Sequence, residues 1–148
     1  CSLLLQRENP SWLYSVDNGA TTVWERWNSY MREKGFGPAT MNSFNHYAYG
    51  SVVAWMFSTL AGIRPDPAAP GFRHFILAPK PDRRLGFVTA SYDSPCGEIR
   101  SAWRYGQDGG WTWRFAVPDG TRATVVLPDG TRRECGSGEQ VVELKGVK

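Results

Sequence analysis

The stretch from Trp111 to Val117 alternates strictly between large apolar residues and smaller or charged ones. Such a period of two places the apolar residues on one face of an extended strand, whereas a helix would scatter them around its axis. The apolar face holds Trp111, Trp113, Phe115 and Val117, and the opposite face holds Thr112, Arg114 and Ala116. The pattern predicts a β-strand with one buried face.

The same period recurs along the second half of the chain. Residues predicted to share strand faces are Phe87, Thr89 and Ser91; Ile99, Ser101, Trp103 and Tyr105; and Ala123, Val125 and Leu127. A further apolar run follows at Val141, Val142 and Leu144. Turn sequences separate these runs at Asp108-Gly109-Gly110, Asp119-Gly120 and Asp129-Gly130. Because Asp-Gly pairs adopt the positive φ angles of tight turns, short strands at this spacing predict an antiparallel β-sandwich.

A proline-rich connector precedes the strands. Residues Arg64 to Gly71 include three prolines and a glycine, which end any preceding helix. The chain before this connector has the character of helix and loop. We therefore predict an α+β chain with two domains, residues 1–64 and residues 65–148.

The segment from Ser43 to Ala61 predicts one helix in the first domain. Asn42 or Ser43 is a candidate for its N-cap, and Gly62 suits the left-handed position that follows a helix. Its apolar residues surround the axis, which is typical of a buried helix. A lone helix of this kind exposes an apolar surface, so we expect either a homo-oligomer or a short helical remnant docked on the sheet. The segment Asn9 to Thr40 predicts a long, irregular and functional loop.

The charge and the hydropathy of the chain limit the classes of binding partner that we expect. The net charge is +3, and the basic residues are scattered along the chain, without the dense stripe of a nucleic-acid-binding surface. No apolar run reaches the length of a membrane span. We therefore expect neither nucleic acid nor a membrane as a partner. Aromatic residues make up 14% of the chain, enough to build a dense core or to stack on sugar rings.

The three cysteines match neither a metal-binding pattern nor a redox pair. A disulfide between Cys96 and Cys135 stays open at this point. The odd count favours a reducing compartment, so a cytoplasmic location is favoured over a periplasmic or secreted one. Cys1 is interpreted as a cut point within a longer protein, and no cofactor or metal is expected.

The most unusual local pattern is Trp24-Glu25-Arg26-Trp27, in which two indoles flank a carboxylate. An apolar setting disfavours the charged form of a carboxyl group and is common for catalytic acids and bases. A surface glutamate between structural tryptophans is the alternative. His46 is a second candidate, because a histidine in a first helical turn can hydrogen-bond a ligand or orient a carboxylate. His74 is expected to be structural or exposed.

Two longer motifs carry a family resemblance. They are Gly19 to Ser29, with the sequence GATTVWERWNS, and Met41 to Gly50, with the sequence MNSFNHYAYG. They closely resemble glycoside hydrolase family 78, the bacterial α-L-rhamnosidases. The resemblance continues through Ala61-Gly62-Ile63, Pro70-Gly71-Phe72, Pro79-Lys80-Pro81 and the strands beginning at Gly86 and Gly97.

The resemblance implies a fold and a chemistry. The fold is the C-terminal helices of an (α/α)6 barrel followed by a β-sandwich, and the chemistry is inverting hydrolysis that releases L-rhamnose from glycans or glycosides. Glu25 matches the general base and His46 matches a residue of the rhamnose site. Trp24 and Trp27 are expected to frame that site or hold Glu25. The general acid is expected upstream, so the partners are a rhamnose-containing substrate and the rest of the barrel.

Two other functions remain open from the sequence. The strand region could be a non-catalytic β-sandwich module that binds carbohydrate or supports a catalytic domain. A protein–protein interaction domain is the third hypothesis, and it depends only on the aromatic content.

Overall fold

The computed structural model describes residues 1–147. Contacts divide the chain into two compact units, Cys1–Val53 and Ala54–Lys148. The α-helices are α1 (Ser2–Leu5), α2 (Trp12–Asp17) and α3 (Val52–Trp55). Shorter helical turns are the 3₁₀-helices Ala39–Met41 and Ala48–Ser51 and the π-helix Met56–Leu60. No helix within residues 1–147 has the length and apolar character needed to cross a membrane.

The first unit contains little regular structure. Ser11 caps α2 by accepting a hydrogen bond from the backbone N–H of Tyr14, as short polar side chains do at helix starts. Strands β1 (Tyr30–Met31) and β2 (Gly35–Phe36) form a small antiparallel hairpin. The predicted irregular segment Asn9 to Thr40 therefore contains one helix and one hairpin. These short elements leave most of the unit as loop held by aromatic contacts.

The second unit contains two four-stranded sheets. Their strands are β3 (Ile63–Pro65), β4 (His74–Leu77), β5 (Phe87–Ser94), β6 (Gly97–Tyr105), β7 (Trp111–Val117), β8 (Arg122–Val126), β9 (Arg132–Cys135) and β10 (Gly138–Leu144). The first sheet has the order β10-β7-β6-β5 and is antiparallel throughout. The second has the order β3-β4-β8-β9. The predicted β-sandwich is confirmed in this unit.

The predicted strand faces form its core. The buried apolar residues include Phe75, Leu77, Ile99, Trp103, Trp111, Trp113, Phe115, Val117, Ala123 and Val125. The alternation of β7 is complete, since its four apolar side chains are buried. At the end of the chain Val142 is buried and Val141 is exposed, so these two do not share a face. The outer face of β5 is also open, with Phe87 exposed.

One strand pair departs from the antiparallel expectation. Strand β4 runs parallel to β8, with His74 opposite Arg122 and Leu77 opposite Val125. A parallel pair needs a crossover connection rather than a hairpin. The first sheet's strands β5 to β7 lie within that connection. Hairpin signals in the sequence could not indicate this pairing.

The predicted helix from Ser43 to Ala61 is wrong over residues 43–47. Helical structure begins at Ala48 and changes from 3₁₀ to α to π before it ends at Leu60. Residues 43–46 are not helical because their backbone groups bond to the segment around Val23. The helices of an (α/α)6 barrel are not evident in the described part of the chain. Tyr47 and Trp55, which the helix was expected to bury, are exposed.

The end of the helical segment is anchored in the sandwich core. The indole of Trp103 donates to the carbonyl of Leu60 across 2.7 Å, and the hydroxyl of Ser101 donates to the carbonyl of Ala61 across 2.6 Å. These bonds satisfy carbonyls that a helix end leaves without partners. A docked helical remnant was one of the two expected outcomes, and the structure contains one.

Gly62 occupies the predicted left-handed position, with a φ of 76°. A Cβ atom there would lie 2.1 Å from the backbone nitrogen of Pro79, so the chain can turn only with glycine at this point. The three cysteines are free thiols, so the disulfide left open between Cys96 and Cys135 is not formed.

Candidate functional site

Two segments of the first unit are joined by backbone hydrogen bonds. The N–H of Glu25 donates to the carbonyl of Ser43 across 2.9 Å, and the N–H of His46 donates to the carbonyl of Val23 across 2.8 Å. The hydroxyl of Thr22 also donates to the carbonyl of Phe44. The pairing brings together the two motifs on which the family resemblance depends. Glu25 and His46 thus belong to one locally ordered site.

The Glu25 side chain is half-buried and held at one oxygen. Its Oε2 accepts the backbone N–H of Ser43 across 2.7 Å. This bond, together with the backbone bond in the opposite direction, fixes the direction of the carboxylate. The other oxygen, Oε1, has no hydrogen-bond partner within residues 1–147. The carboxylate therefore keeps one acceptor for a ligand or a water.

His46 lies just before the helical segment, not in its first turn. Its Nδ1 accepts the backbone N–H of Ala48 across 3.3 Å, and its ring stacks on Tyr47 with centroids 5.1 Å apart. Because Nδ1 is an acceptor, a neutral His46 carries its proton on Nε2. The expected effect of a helix dipole is thus replaced by a local hydrogen bond, which leaves Nε2 as a donor.

Trp24 is buried and packs among aromatic rings beside the segment that carries Glu25. Its ring makes edge contacts with Tyr30 and Phe44, at centroid distances of 6.4 Å and 5.4 Å. Phe36 closes this cluster against Tyr30 and Phe44. Edge-to-face contacts of this kind stabilise a fixed arrangement of rings. Trp24 therefore holds the backbone that carries Glu25.

Trp27 belongs to a different aromatic cluster. It stacks on Tyr49 with centroids 3.8 Å apart, and its other contact is an edge of Trp12 at 5.0 Å. The indole of Trp12 donates to the carbonyl of Tyr49, and this bond connects α2 to the 3₁₀-helix Ala48–Ser51. The flanking tryptophans of the sequence pattern thus point into separate clusters.

An open cleft of about 270 Å³ lies between these clusters. Trp24, Trp27 and Tyr49 line it, together with residues of α2 and the loop that follows. Glu25 and His46 do not line it. The structure therefore joins the segments of Glu25 and His46 through backbone hydrogen bonds, and neither residue contributes to the wall of the cleft.

His74 has the structural role that the sequence predicted. It lies on β4 and bonds the Asp66 carboxylate through Nδ1 at 2.6 Å, while Nε2 faces Thr124 and Glu134 at 3.1 Å and 3.2 Å. The backbone N–H of Ala68, followed by His74, holds the pKa of Asp66 below its ordinary value. The Thr124 hydroxyl does the same for the pKa of Glu134. This cluster joins three strands of the second sheet.

The sequence interpretation missed some residues that position Glu25 and Trp27. Ser43 was considered only as a helix cap, although its N–H positions Glu25. Tyr49 and Trp12 form the cluster around Trp27, and only their aromatic character could have indicated it. Within residues 1–147, no group of three or more His, Cys, Asp or Glu side chains is arranged so that it could hold a metal ion.

Comparison with known protein families assigns both units of the chain to one family. Residues 1–60 match the model described as bacterial alpha-L-rhamnosidase 6 hairpin glycosidase domain. Residues 62–142 match the bacterial alpha-L-rhamnosidase C-terminal domain. The fold and the motifs therefore define a class of protein in which a glycosidase-domain segment is followed by a β-sandwich. The chain belongs to the bacterial α-L-rhamnosidase family.

Individual relatives agree with this assignment. An alpha-L-rhamnosidase of Alteromonas sp. (strain LOR) is 47% identical over 107 residues, which are 72% of this chain and 11% of the relative. One of Formosa agariphila is 46% identical over 101 residues, 68% of this chain and 11% of the relative. The chain thus spans about a tenth of the length of these curated relatives.

Solved structures extend the likeness to nearly the whole chain. The crystal structure of a Streptomyces avermitilis alpha-L-rhamnosidase complexed with L-rhamnose superposes with a TM-score of 0.86 at 37% identity. The match covers 97% of this chain and 16% of that one. An Aspergillus terreus rhamnosidase gives 0.90 at 39% identity, with coverage of 99% and 17%. Both units therefore have counterparts in longer proteins.

Proposed function

We propose that this chain supplies part of the active site of an α-L-rhamnosidase, an inverting glycoside hydrolase that releases terminal α-L-rhamnose. Glu25 acts as its general base. The observation that carries the proposal is the backbone pairing of Val23–Glu25 with Ser43–His46, which joins the two segments and fixes the Glu25 carboxylate on the N–H of Ser43. Family membership supports the substrate class.

The geometry of Glu25 suits the task of a base. In an inverting glycosidase one carboxylate activates a water on the face of the sugar opposite the leaving group. Such a base needs a fixed carboxylate with a free oxygen within hydrogen-bond reach of that water. Ser43 holds Oε2, and Oε1 is left to accept the proton. Half-burial of the side chain still allows water to approach.

The neighbouring residues have supporting roles in this proposal. His46 donates from Nε2 to a hydroxyl of the sugar, because its Nδ1 is already bonded to Ala48. Trp24 holds the Glu25 segment through its buried ring contacts. Trp27 stacks on Tyr49 and holds the other end of the segment that carries Glu25. None of these steps requires a metal or cofactor.

The proposed reaction needs a second carboxyl group. It must lie about 6.5–9.5 Å from the base, so that a water fits beneath the sugar. We assign this general acid to the rest of the barrel, upstream in a longer polypeptide. The chain of residues 1–148 alone is therefore expected to leave an aryl α-L-rhamnoside intact. Turnover above a protein-free blank would contradict this assignment.

The direct test replaces Glu25 with glutamine in the full-length protein. Loss of the base is expected to lower kcat by about 10²–10⁴-fold, because glutamine cannot accept the proton. The hydrogen bond from Ser43 is retained, so the fold and KM should change little. Glu33→Gln, an exposed change in the same unit, is the matched control. Near-normal kcat in Glu25→Gln would remove Glu25 from the mechanism.

The alternative, a non-catalytic β-sandwich module, applies to the second unit. Its tryptophans Trp103, Trp111 and Trp113 are at most 2% exposed, so they form core rather than a sugar platform. Calorimetry with L-rhamnose separates the two assignments. Binding lost in His46→Ala points to the first unit, and binding lost only in Phe87→Ser, on the open face of β5, points to the sandwich.

A further inference from the structure

A basic cleft lies at one end of the second sheet of the sandwich. Its volume is about 360 Å³, and its cationic lining residues are Arg64 and Lys80. The remaining lining is mainly apolar and includes Pro79, Pro81, Leu127 and Pro128. No acidic residue is present among the described residues that line it. The cleft therefore holds two positive charges without a counter-charge in its wall.

Arg64 is fixed in place but has no partner. Its Nε is buried and makes no hydrogen bond, and the side chain forms no ion pair with any residue from 1 to 147. Arg64 lies on β3 opposite Ile76. A buried donor without an acceptor costs stability, and structures rarely keep one without a reason. The terminal nitrogens of the guanidinium make no hydrogen bond within residues 1–147, and Arg64 lines the cleft, so these nitrogens can donate to a bound anion.

The nearest carboxylates along the chain are engaged elsewhere. Asp66 bonds Ala68 and His74, Asp82 bonds Arg84, and Asp129 accepts the backbone N–H of Thr131. These bonds hold the pKa of each of the three aspartates below its ordinary value. None of them lines the cleft. The charge of Arg64 and Lys80 is thus left for a ligand.

We propose that this cleft binds an anionic monosaccharide of the uronic acid class. Its carboxylate pairs with Arg64, whose planar guanidinium matches a carboxylate, and with Lys80. The apolar C–H face of the sugar ring packs on the proline rings and on Leu127. The volume is near the lower end of small-molecule pockets, about 300–1,000 Å³, and accommodates one such ring. The proposal is independent of Glu25 and of the hydrolytic site.

The test is an NMR titration of the 148-residue chain with sodium D-glucuronate. D-glucose and inorganic phosphate are titrated in parallel at equal ionic strength. The expected result is saturable shifts of the cleft residues with glucuronate and weaker or absent effects with the other two. Equal binding of phosphate would assign a simple anion site, and equal binding of glucose would remove the charge argument. Either result, or no saturable binding of glucuronate, overturns the proposal.

Substitutions of Arg64 and Lys80 test whether these two residues bind the glucuronate. Arg64→Met and Lys80→Met each remove one charged contact, so each should weaken glucuronate binding about tenfold or more. Arg104→Met, an exposed arginine on β6 without a partner in the described chain, is the matched control and should bind as the parent does. If Arg64→Met fails to fold, as judged by its amide spectrum, Lys80→Met decides. Undiminished binding by a folded Lys80→Met contradicts the proposal.

Discussion

Trp113 donates its indole N–H to the hydroxyl oxygen of Ser101 across 2.9 Å, in the core of the sandwich. Ser101 in turn donates to the carbonyl of Ala61. A single hydroxyl therefore connects β7, β6 and the end of the helical segment, and it is fully buried. Its two bonds are satisfied only while these three parts keep their positions.

Replacing Ser101 with alanine is expected to destabilise the chain by about 2–4 kcal/mol. The change leaves an indole N–H and a carbonyl buried without partners, and each costs free energy of desolvation. Urea unfolding followed by tryptophan fluorescence measures the change in the free energy of unfolding. Ser91→Ala, on the exposed face of β5, is the control and should lie within about 0.5 kcal/mol of the parent. Equal stability of the two variants would show that the Ser101 bonds contribute nothing.

Gly62→Ala should be far more costly than alanine at another left-handed glycine. A Cβ at Gly62 would overlap the backbone of Pro79, and nothing lies within 4 Å of a Cβ at Gly120. The two φ angles are similar, at 76° and 73°, so the backbone strain is matched. We expect a loss of more than about 4 kcal/mol at Gly62 and about 1–2 kcal/mol at Gly120. Similar unfolding midpoints for the two variants would refute the role of the close approach.

His46→Ala in the full-length protein is expected to raise KM for an aryl rhamnoside about 3–10-fold with little change in kcat. The proposed role gives His46 one hydrogen bond to the sugar in both the ground and transition states, and the variant removes it. His46→Gln offers an amide donor at a similar reach and should recover part of the loss. Steady-state kinetics of the three proteins provides the check. An unchanged KM in His46→Ala would exclude a direct contact with the sugar.

Acid should weaken the contribution of one surface ion pair. The Arg84 side chain donates to the Asp82 carboxylate and lowers the pKa of Asp82 from 3.8 to about 2. Because the folded pKa is depressed, the stabilisation is complete well above 3.8 and declines as pH falls toward 2. The stability difference between the parent and Asp82→Asn should therefore narrow from about pH 5 to about pH 3. A difference independent of pH would indicate that ionisation of Asp82 is not involved.

The sandwich was predictable because its signal is local. Residues such as Ile99 and Trp113 alternate with polar neighbours, and burial of one face follows directly from that period. The parallel pairing of β4 with β8 was not predictable in this way. It depends on the return of the chain after residues 78–121, and no neighbouring turn specifies it.

The helix from Ser43 was mispredicted because apolar content was taken as a helical signal. The competing signal lay far away in the sequence, at Val23 and Glu25, whose backbone groups bond residues 43–46. The same long-range pairing forms the candidate site. The motifs gave Glu25 and His46 as candidate site residues, whose roles stay a prediction, and only the fold could give their contacts. The cleft at Arg64 could not be predicted from the sequence, because Arg64 is one of many arginines scattered along the chain.

The parallel pair of β4 and β8 has a kinetic consequence. Strand β4 leaves the second sheet, and the chain completes the hairpins of β5, β6 and β7 before β8 returns beside it. Closing so long a loop is entropically unfavourable until the intervening strands have folded and shortened the effective distance. The pairing of β8 with β4 is therefore expected to form late. Strand β8 should acquire hydrogen-exchange protection after the tryptophan-rich sheet does.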